Sequence, residues 1–135
     1  MKSFVPVAAA LALLGLATLA YFLTPSVYAV RSADGVTVHC EVLGDYPADV
    51  ERIDLVEEKS GRTVWRVKAQ GDMFQLHKFD LVSGANAGTL HPFWGNFQTD
   101  IPATGSFFLA PGIKYRVSVC SADWLRRCKG TTFAL

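Results

Sequence analysis

Three histidines, His39, His77 and His91, are the side chains best able to bind a metal or transfer a proton. With a carboxylate such as Asp80 they provide the ligand types of a zinc site. No two of them have the close spacing of a local metal-binding motif, so we predict surface histidines, no metal and no cofactor. The sequence also lacks a nucleophile elbow, a zinc-protease helix and a phosphate-binding glycine loop, which predicts a non-catalytic protein.

Three cysteines, Cys40, Cys120 and Cys128, give an odd count. In an exported protein this count favours one disulfide with one free thiol, or a bond between chains. The choice of partners depends on which strand faces the three side chains occupy.

The segment between the last two cysteines carries side chains typical of protein recognition. It contains Trp124, Leu125, Arg126 and Arg127. Trp and Arg are enriched among the residues that dominate binding energy, which makes this segment a candidate recognition loop. The structural alternative is that Trp124 folds back over the sheet edge while the arginines are merely solvated.

A second candidate surface lies in residues 91–97, where Phe93, Trp94 and Phe97 fall within five positions. Clustered aromatic side chains can contact a peptide or a sugar, and we include Phe93 and Trp94 among the candidate binding residues. The alternative is that these rings cap the open end of a hydrophobic core.

The candidate residues lie in or between segments that are predicted to be short β-strands. Val36–Val42 alternates apolar and polar side chains with a period of two, which is typical of a half-buried strand with Cys40 on its apolar face. Residues 83–104 are predicted to be a long connection with one short strand at 96–99. Runs of short strands without helical periodicity predict an all-β antiparallel sandwich. Further strands are predicted at Met73–Leu76, Lys78–Val82, Ser106–Leu109, Tyr115–Cys120 and Thr131–Leu135.

The strongest local pattern is a β-hairpin formed by Arg52–Glu58 and Arg62–Lys68. Its three-residue loop ends at Gly61, and such loops usually place their last residue in the left-handed region, where glycine costs least. A shift of one residue would mix the two faces of the hairpin. The charged pairs are predicted to form a solvated sheet face. The predicted register pairs Ile53 with Val67 and Leu55 with Trp65 on one face, and Asp54 with Arg66 and Glu58 with Arg62 on the other.

Leu109, Pro111, Gly112 and Tyr115 form the most specific motif, because a Pro-Gly turn leads into strict alternation from the tyrosine onward. This resembles the tyrosine corner of fibronectin type III and related immunoglobulin-like sandwiches, in which the tyrosine hydroxyl bonds to the backbone just upstream. The resemblance covers Phe107–Val119 and implies an immunoglobulin-like antiparallel sandwich. These modules usually carry a Trp in an early strand, whereas Trp65 falls in the return strand of the first hairpin.

Strand alternation favours a disulfide between Cys120 and Cys128. An inward-facing Tyr115 puts Cys120 on the outer face of its strand, and an inward-facing Phe133 puts Cys128 on the outer face of the last strand. Cys40 shares a face with core valines and is predicted to be a buried free thiol. The alternative bond, Cys40–Cys120, is the bond between sheets of antibody-like domains, and it stays open at this point.

Residues Phe4–Leu23 contain no charged side chain and follow Lys2. A membrane anchor needs about 20 apolar residues, which this segment provides. A secretory signal needs an apolar core of about 7–15 residues and a small-residue cleavage site, which Val27-Tyr28-Ala29 would provide. The sequence thus divides into residues 1–29, a signal peptide or transmembrane anchor, and residues 30–135, a β-sandwich domain. The domain is predicted to face the periplasm or exterior from the cell membrane, or to be secreted or periplasmic after cleavage.

The charges of residues 30–135 balance. All but one of the 13 Lys and Arg residues lie there, opposite 12 Asp and Glu residues. A neutral domain lacks the basic surplus that nucleic-acid binding requires. We therefore predict a non-catalytic binding or assembly module of the cell envelope with a protein partner. The alternatives are a structural subunit that contacts a membrane complex through its N-terminal helix, and a small periplasmic enzyme.

Overall fold

The computed structural model describes residues 4–23, 25–44, 46–122 and 127–135. In these ranges one helix precedes ten strands, which confirms the predicted all-β class with an N-terminal helix. The elements are α1 (Phe4–Leu23), β1 (Ser26–Arg31), β2 (Gly35–Val42), β3 (Tyr46–Glu57), β4 (Thr63–Leu76), β5 (Lys78–Val82), β6 (Gly84–Asn86), β7 (Trp94–Ile101), β8 (Phe107–Leu109), β9 (Lys114–Ser121) and β10 (Cys128–Ala134).

The strands form a sandwich that approaches a barrel. One layer has the order β5-β2-β1, and the other has the order β7-β4-β3-β9-β10. The end of β2 also pairs with the start of β3, which joins the two layers, and β6 and β8 form a separate two-stranded sheet. Every strand pair among the described residues is antiparallel. The core contains alternating side chains of both layers, among them Val36, Val38, Ile53, Leu55, Trp65, Val67, Phe74, Leu109, Val117 and Val119.

The hairpin formed by β3 and β4 has the predicted register at its centre. Ile53 pairs with Val67, Asp54 with Arg66 and Leu55 with Trp65. The predicted left-handed glycine is also confirmed, since Gly61 has a φ of 71°. Alternation of apolar and charged side chains therefore fixed which hairpin face enters the core.

At the hairpin tip the predicted pairing of Glu58 with Arg62 is wrong. A register shift after Leu55 inserts one extra residue into β4, and Arg62 instead lies with its Nη2 atom 3.4 Å from Oε2 of Glu57. Glu58 contacts Lys114, whose Nζ atom lies 3.6 Å from its Oε2 atom. A bulge shifts every later pair, and period-two patterning cannot place it.

The outer face of the hairpin is less solvated than predicted at its centre. Asp54 is only 7% exposed, and its carboxylate contacts both Arg52, at 2.8 Å, and Arg66. Because two guanidinium groups cover one carboxylate, this face holds a compact charged cluster in place of independent surface pairs.

The tyrosine-corner contact is present. The Tyr115 hydroxyl oxygen accepts a hydrogen bond from the Ala110 amide at 2.9 Å, and the tyrosine ring is buried. Leu109 is fully buried, while Pro111 and Gly112 form the exposed turn. The Gly112 amide donates to the Leu135 carbonyl at 2.8 Å, which also ties the corner to the last residue.

The middle of the chain contains more strand than predicted. Met73–Leu76 is the end of β4 and not a separate strand. The segment predicted as a long connection contains β6 and β7. Asn86 holds it in place, because its amide group bonds to both the amide and the carbonyl of Val82 at 2.9 Å.

The predicted N-terminal helix is present as α1. Its side chains are exposed from residue 6 to residue 18, including Leu11 at 65% and Leu14 at 64%. Among the described residues, no helix combines the length and the hydropathy needed to cross a membrane. The sheet starts soon after the helix, since β1 begins at Ser26 and pairs with β2 along its whole length.

Candidate functional site

An apolar groove lies at the end of the sandwich where β2 ends and β7 begins. Its volume is about 510 Å³, and we call it the end groove. Among its lining residues only Asp49 carries a formal charge. The end groove is lined by Pro25, Val42, Leu43, Tyr46, Pro47, Asp49, Gln75, Phe93 and Ser121.

Large apolar side chains on the rim of the end groove are exposed. Leu43 is 57% exposed, Tyr46 65% and Phe93 79%, and the neighbouring Trp94 is 59% exposed. Single exposed apolar residues are common on protein surfaces, whereas grouped ones mark interaction sites. This grouping makes the end groove the strongest candidate binding site among the described residues.

The turn between β2 and β3 forms one side of the rim. Leu43 has a φ of 54°, in the left-handed region that residues with a side chain rarely adopt, and Gly44 follows with a φ of 89°. Such conformations cost free energy and cluster at functional sites. An apolar residue held there and left exposed is a second reason to regard this rim as functional.

Hydrogen bonds hold the polar part of the end groove in place. The Gln75 side-chain amide donates to Oδ1 of Asp49 at 2.9 Å, and the Phe93 amide donates to the Gln75 carbonyl at 2.7 Å. The Ala122 amide donates to the Asp49 carbonyl at 3.1 Å. These bonds join β3 and β4 to the segments beside β7 and β9. The carboxylate of Asp49 can accept further bonds from a ligand, because each oxygen has two lone pairs.

The aromatic side chains of residues 91–97 have two different roles in the structure. Phe93 lines the end groove and Trp94 lies beside it, so both are available for binding. Phe97 packs partly against the core and contacts Phe74, with ring centroids 5.9 Å apart. The core-capping alternative therefore applies to Phe97 and not to the two exposed rings.

The predicted recognition loop begins at the end groove. Ser121 lines the groove, and its amide and hydroxyl both bond to the Arg127 carbonyl, at 2.8 and 3.2 Å. Trp124, Leu125 and Arg126 lie outside the described residues. Ser121, which precedes this loop, and Phe93 of the aromatic segment thus line the same groove.

The predicted disulfide is present. Cys120 and Cys128 are bonded and stand directly opposite each other on β9 and β10. Cys40 is a buried free thiol whose Sγ atom lies 3.6 Å from the Leu76 carbonyl. Burial, with a smaller contribution from the Glu41 carboxylate, raises the pKa of Cys40 to about 12. This thiol is therefore protonated at neutral pH and is a poor nucleophile.

Several residues of the end groove were missed by the sequence analysis. Tyr46 and Pro47 belong to neither of the two predicted binding surfaces, and Pro25 was assigned to the N-terminal segment. An aromatic residue next to proline is the one local signal that pointed to Tyr46. Leu43 carries no local signal, because its exposure follows from the turn geometry.

A polar cluster on the outer face of β1 and β2 was also missed. Oε1 of Glu41 lies 3.1 Å from Nδ1 of His39 and 3.2 Å from Nε2 of His77. The Tyr28 hydroxyl donates to Oε2 of Glu41 at 3.0 Å, and its ring stacks on His39 with centroids 4.8 Å apart. His39 and His77 are distant in sequence, so no spacing motif could reveal the cluster. Within the described ranges, no group of three or more His, Cys, Asp or Glu side chains is arranged to hold a metal ion.

Replacing Glu41 with Gln is expected to change how stability depends on pH. Burial alone raises the pKa of Glu41, but hydrogen bonds from Tyr28 and His39 and the charges of His77 and His39 outweigh it, so the pKa is lowered. A carboxyl with a lowered pKa contributes stability above its unfolded pKa, and this contribution is lost as the pH falls through its folded pKa. As the pH is lowered from about 7 to about 3, the melting temperature of the wild type should therefore fall more steeply than that of Glu41→Gln. Parallel curves would show that the cluster contributes nothing.

Comparison with known proteins adds no family to this picture. No protein-family model matches the chain, and no curated protein shows significant sequence similarity to it.

Proposed function

We propose that this chain is an exported, immunoglobulin-like binding module that holds a protein partner of the cell envelope in its end groove. The tyrosine-corner contact and the antiparallel sandwich support the immunoglobulin-like assignment. The Cys120–Cys128 bond supports export, because disulfides persist in oxidising compartments.

The observation that carries the proposal is the exposed apolar rim around a preorganised groove. Leu43, Tyr46 and Phe93 would each bury apolar area against a partner, and aromatic anchors in pockets dominate binding energy. Asp49 and Gln75 supply acceptor and donor groups in the lining of the groove. The best-matched occupant is a protein segment with apolar side chains whose backbone amides bond to the Asp49 carboxylate.

A second hollow, of about 540 Å³, lies at the opposite end of the sandwich. It exposes Phe108, but its lining includes the ion pair between Glu57 and Arg62. Charged residues are depleted in interface cores, so this hollow fits a protein partner less well. Phe108 is 65% exposed and provides a matched control for Phe93.

The double substitution Tyr46→Ala with Phe93→Ala is expected to reduce partner capture about tenfold or more, because each ring would bury its area only in the complex. The measurement is co-purification of cross-linked partners from membranes with the full chain. The melting temperature should change little, since both rings are exposed. Phe108→Ala should capture as the wild type does. Undiminished capture by the double variant would contradict the proposal.

A second candidate function is assembly through α1. The exposure of apolar side chains along this helix, such as Leu13 and Leu16, favours it, because a helix that is apolar on all sides is normally buried. Replacing residues 4–23 with an unrelated apolar helix separates the two functions. Capture that survives the replacement supports the end groove, and capture that is lost supports the helix.

A further inference from the structure

The disulfide lies in a row of side chains that crosses one layer of the sandwich. Lys68 on β4 pairs with Arg52 on β3, Arg52 pairs with Cys120 on β9, and Cys120 pairs with Cys128 on β10. Directly paired residues of neighbouring strands point to the same face. Arg52 therefore stands beside the disulfide on the outer face, and Lys68 lies on the same face one strand further away.

The two sulfur-bearing residues differ in exposure. Cys120 is 5% exposed, although it lies on the outer face, because Arg52 lies over it, whereas Cys128 is exposed. A hollow of about 410 Å³ opens onto the disulfide and is lined by Glu51, Arg52, Lys68, Ala69, Gly71, Cys120 and Cys128. An incoming thiolate can therefore approach the bond from the Cys128 side.

Arg52 is held where it can stabilise charge on Cys120. Its Nη2 atom lies 3.7 Å from the Cys120 sulfur, and its Nε atom lies 2.8 Å from Oδ2 of Asp54. The carboxylate thus fixes the guanidinium while leaving one end directed at the sulfur. Lys68 and Glu51 also line the hollow, but the Nζ atom of Lys68 lies 3.2 Å from Oδ2 of Asp100 on β7, so Arg52 is the cation that faces the sulfur. A neighbouring cation stabilises a thiolate, and a more stable thiolate leaves faster.

We propose that Cys120–Cys128 is a thiol–disulfide exchange site, reduced by a dithiol that attacks the sulfur of Cys128. The attacking thiolate forms a bond to this sulfur, and the electron pair of the broken disulfide goes to Cys120, whose thiolate faces Arg52. The second thiol of the reductant then loses its proton and attacks the mixed disulfide, which releases Cys128. The dithiol is oxidised to a disulfide, the protein gains two thiols, and the two protons of the dithiol are transferred through water to the two cysteines.

Mapping of the mixed disulfide tests the direction of attack in the unmodified chain. The folded full chain is treated with reduced glutathione, quenched with acid, and its cysteine peptides are identified by mass. The expected adduct lies on Cys128, with Cys120 recovered as a free thiol. An adduct mainly on Cys120 would overturn the proposal.

Reduction kinetics test the role of Arg52. With dithiothreitol as the probe, Arg52→Gln is expected to slow reduction of the folded chain about tenfold, because the leaving thiolate loses its cation. Arg62→Gln removes an exposed arginine far from the disulfide and should leave the rate unchanged. Equal rates for all three chains would overturn the proposal. A second result would also overturn it. If the reduction rate of the wild type levels off at the unfolding rate as the dithiothreitol concentration is raised, the disulfide is reduced only in the unfolded chain.

Discussion

A chain that begins at Val30 is expected to be much less stable than the full chain, whereas a chain that begins at Pro25 should fold as the full chain does. All six residues of β1 pair with β2. Val27 and Ala29 pack against the core, and the Tyr28 hydroxyl bonds to Glu41. Losing the first four residues of β1 removes these contacts and exposes the edge of β2. We expect a loss of about 3 kcal/mol or more, from buried apolar area and hydrogen bonds together.

This loss is a large share of the roughly 5–15 kcal/mol that stabilises a typical domain. Thermal and urea unfolding of the two shortened chains measures it directly. Equal stability would show that β1 is dispensable. The predicted result also bears on processing, because cleavage after Ala29 would cut β1, whereas cleavage before Ser26 would leave it intact.

Trp65→Ala is expected to cost about 3–5 kcal/mol, the usual range for removing a fully buried large aromatic residue. Trp65 is 1% exposed. Its ring stacks on Phe107 with centroids 5.1 Å apart and meets the edge of Phe79 at 5.8 Å. The substitution would leave a cavity between the two layers, which the neighbouring rings cannot fill without leaving their own contacts.

Trp94→Ala is the matched control for this prediction. Trp94 is 59% exposed, so its removal should change stability by no more than about 0.5 kcal/mol. Guanidinium unfolding of both variants compares the same change of residue type in the core and at the surface. A similar loss from both variants would contradict the assignment of Trp65 to the core.

The sequence predicted the parts of the fold that depend on local patterns. Alternation placed Ile53 and Leu55 in the core and Cys120 opposite Cys128, and the Pro-Gly turn located Tyr115. The predicted pairing at the hairpin tip was wrong, because the alternation of apolar and polar residues does not reveal a bulge. The start of β1 at Ser26 was hidden, since the apolar signal of the preceding helix dominates this stretch.

The end groove was only partly predictable. Phe93 was recognisable as an aromatic candidate from its own segment. Its neighbours Pro25, Leu43 and Tyr46 come from different elements, and only the pairing of β2 with β1 and β3 brings them together. The same applies to the cluster around Glu41, whose two histidines lie far apart in sequence. Local patterns identify strands, whereas these sites depend on how distant strands pair.

Photo-cross-linking from within the end groove tests the central proposal most directly. A photoreactive phenylalanine analogue would replace Phe93 in one full chain and Phe108 in another, because both positions are exposed and lie at opposite ends of the sandwich. Irradiation in intact cells should give a discrete protein adduct from position 93 and none from position 108. An adduct from position 108 alone, or from neither position, would contradict the proposal that the end groove holds the partner.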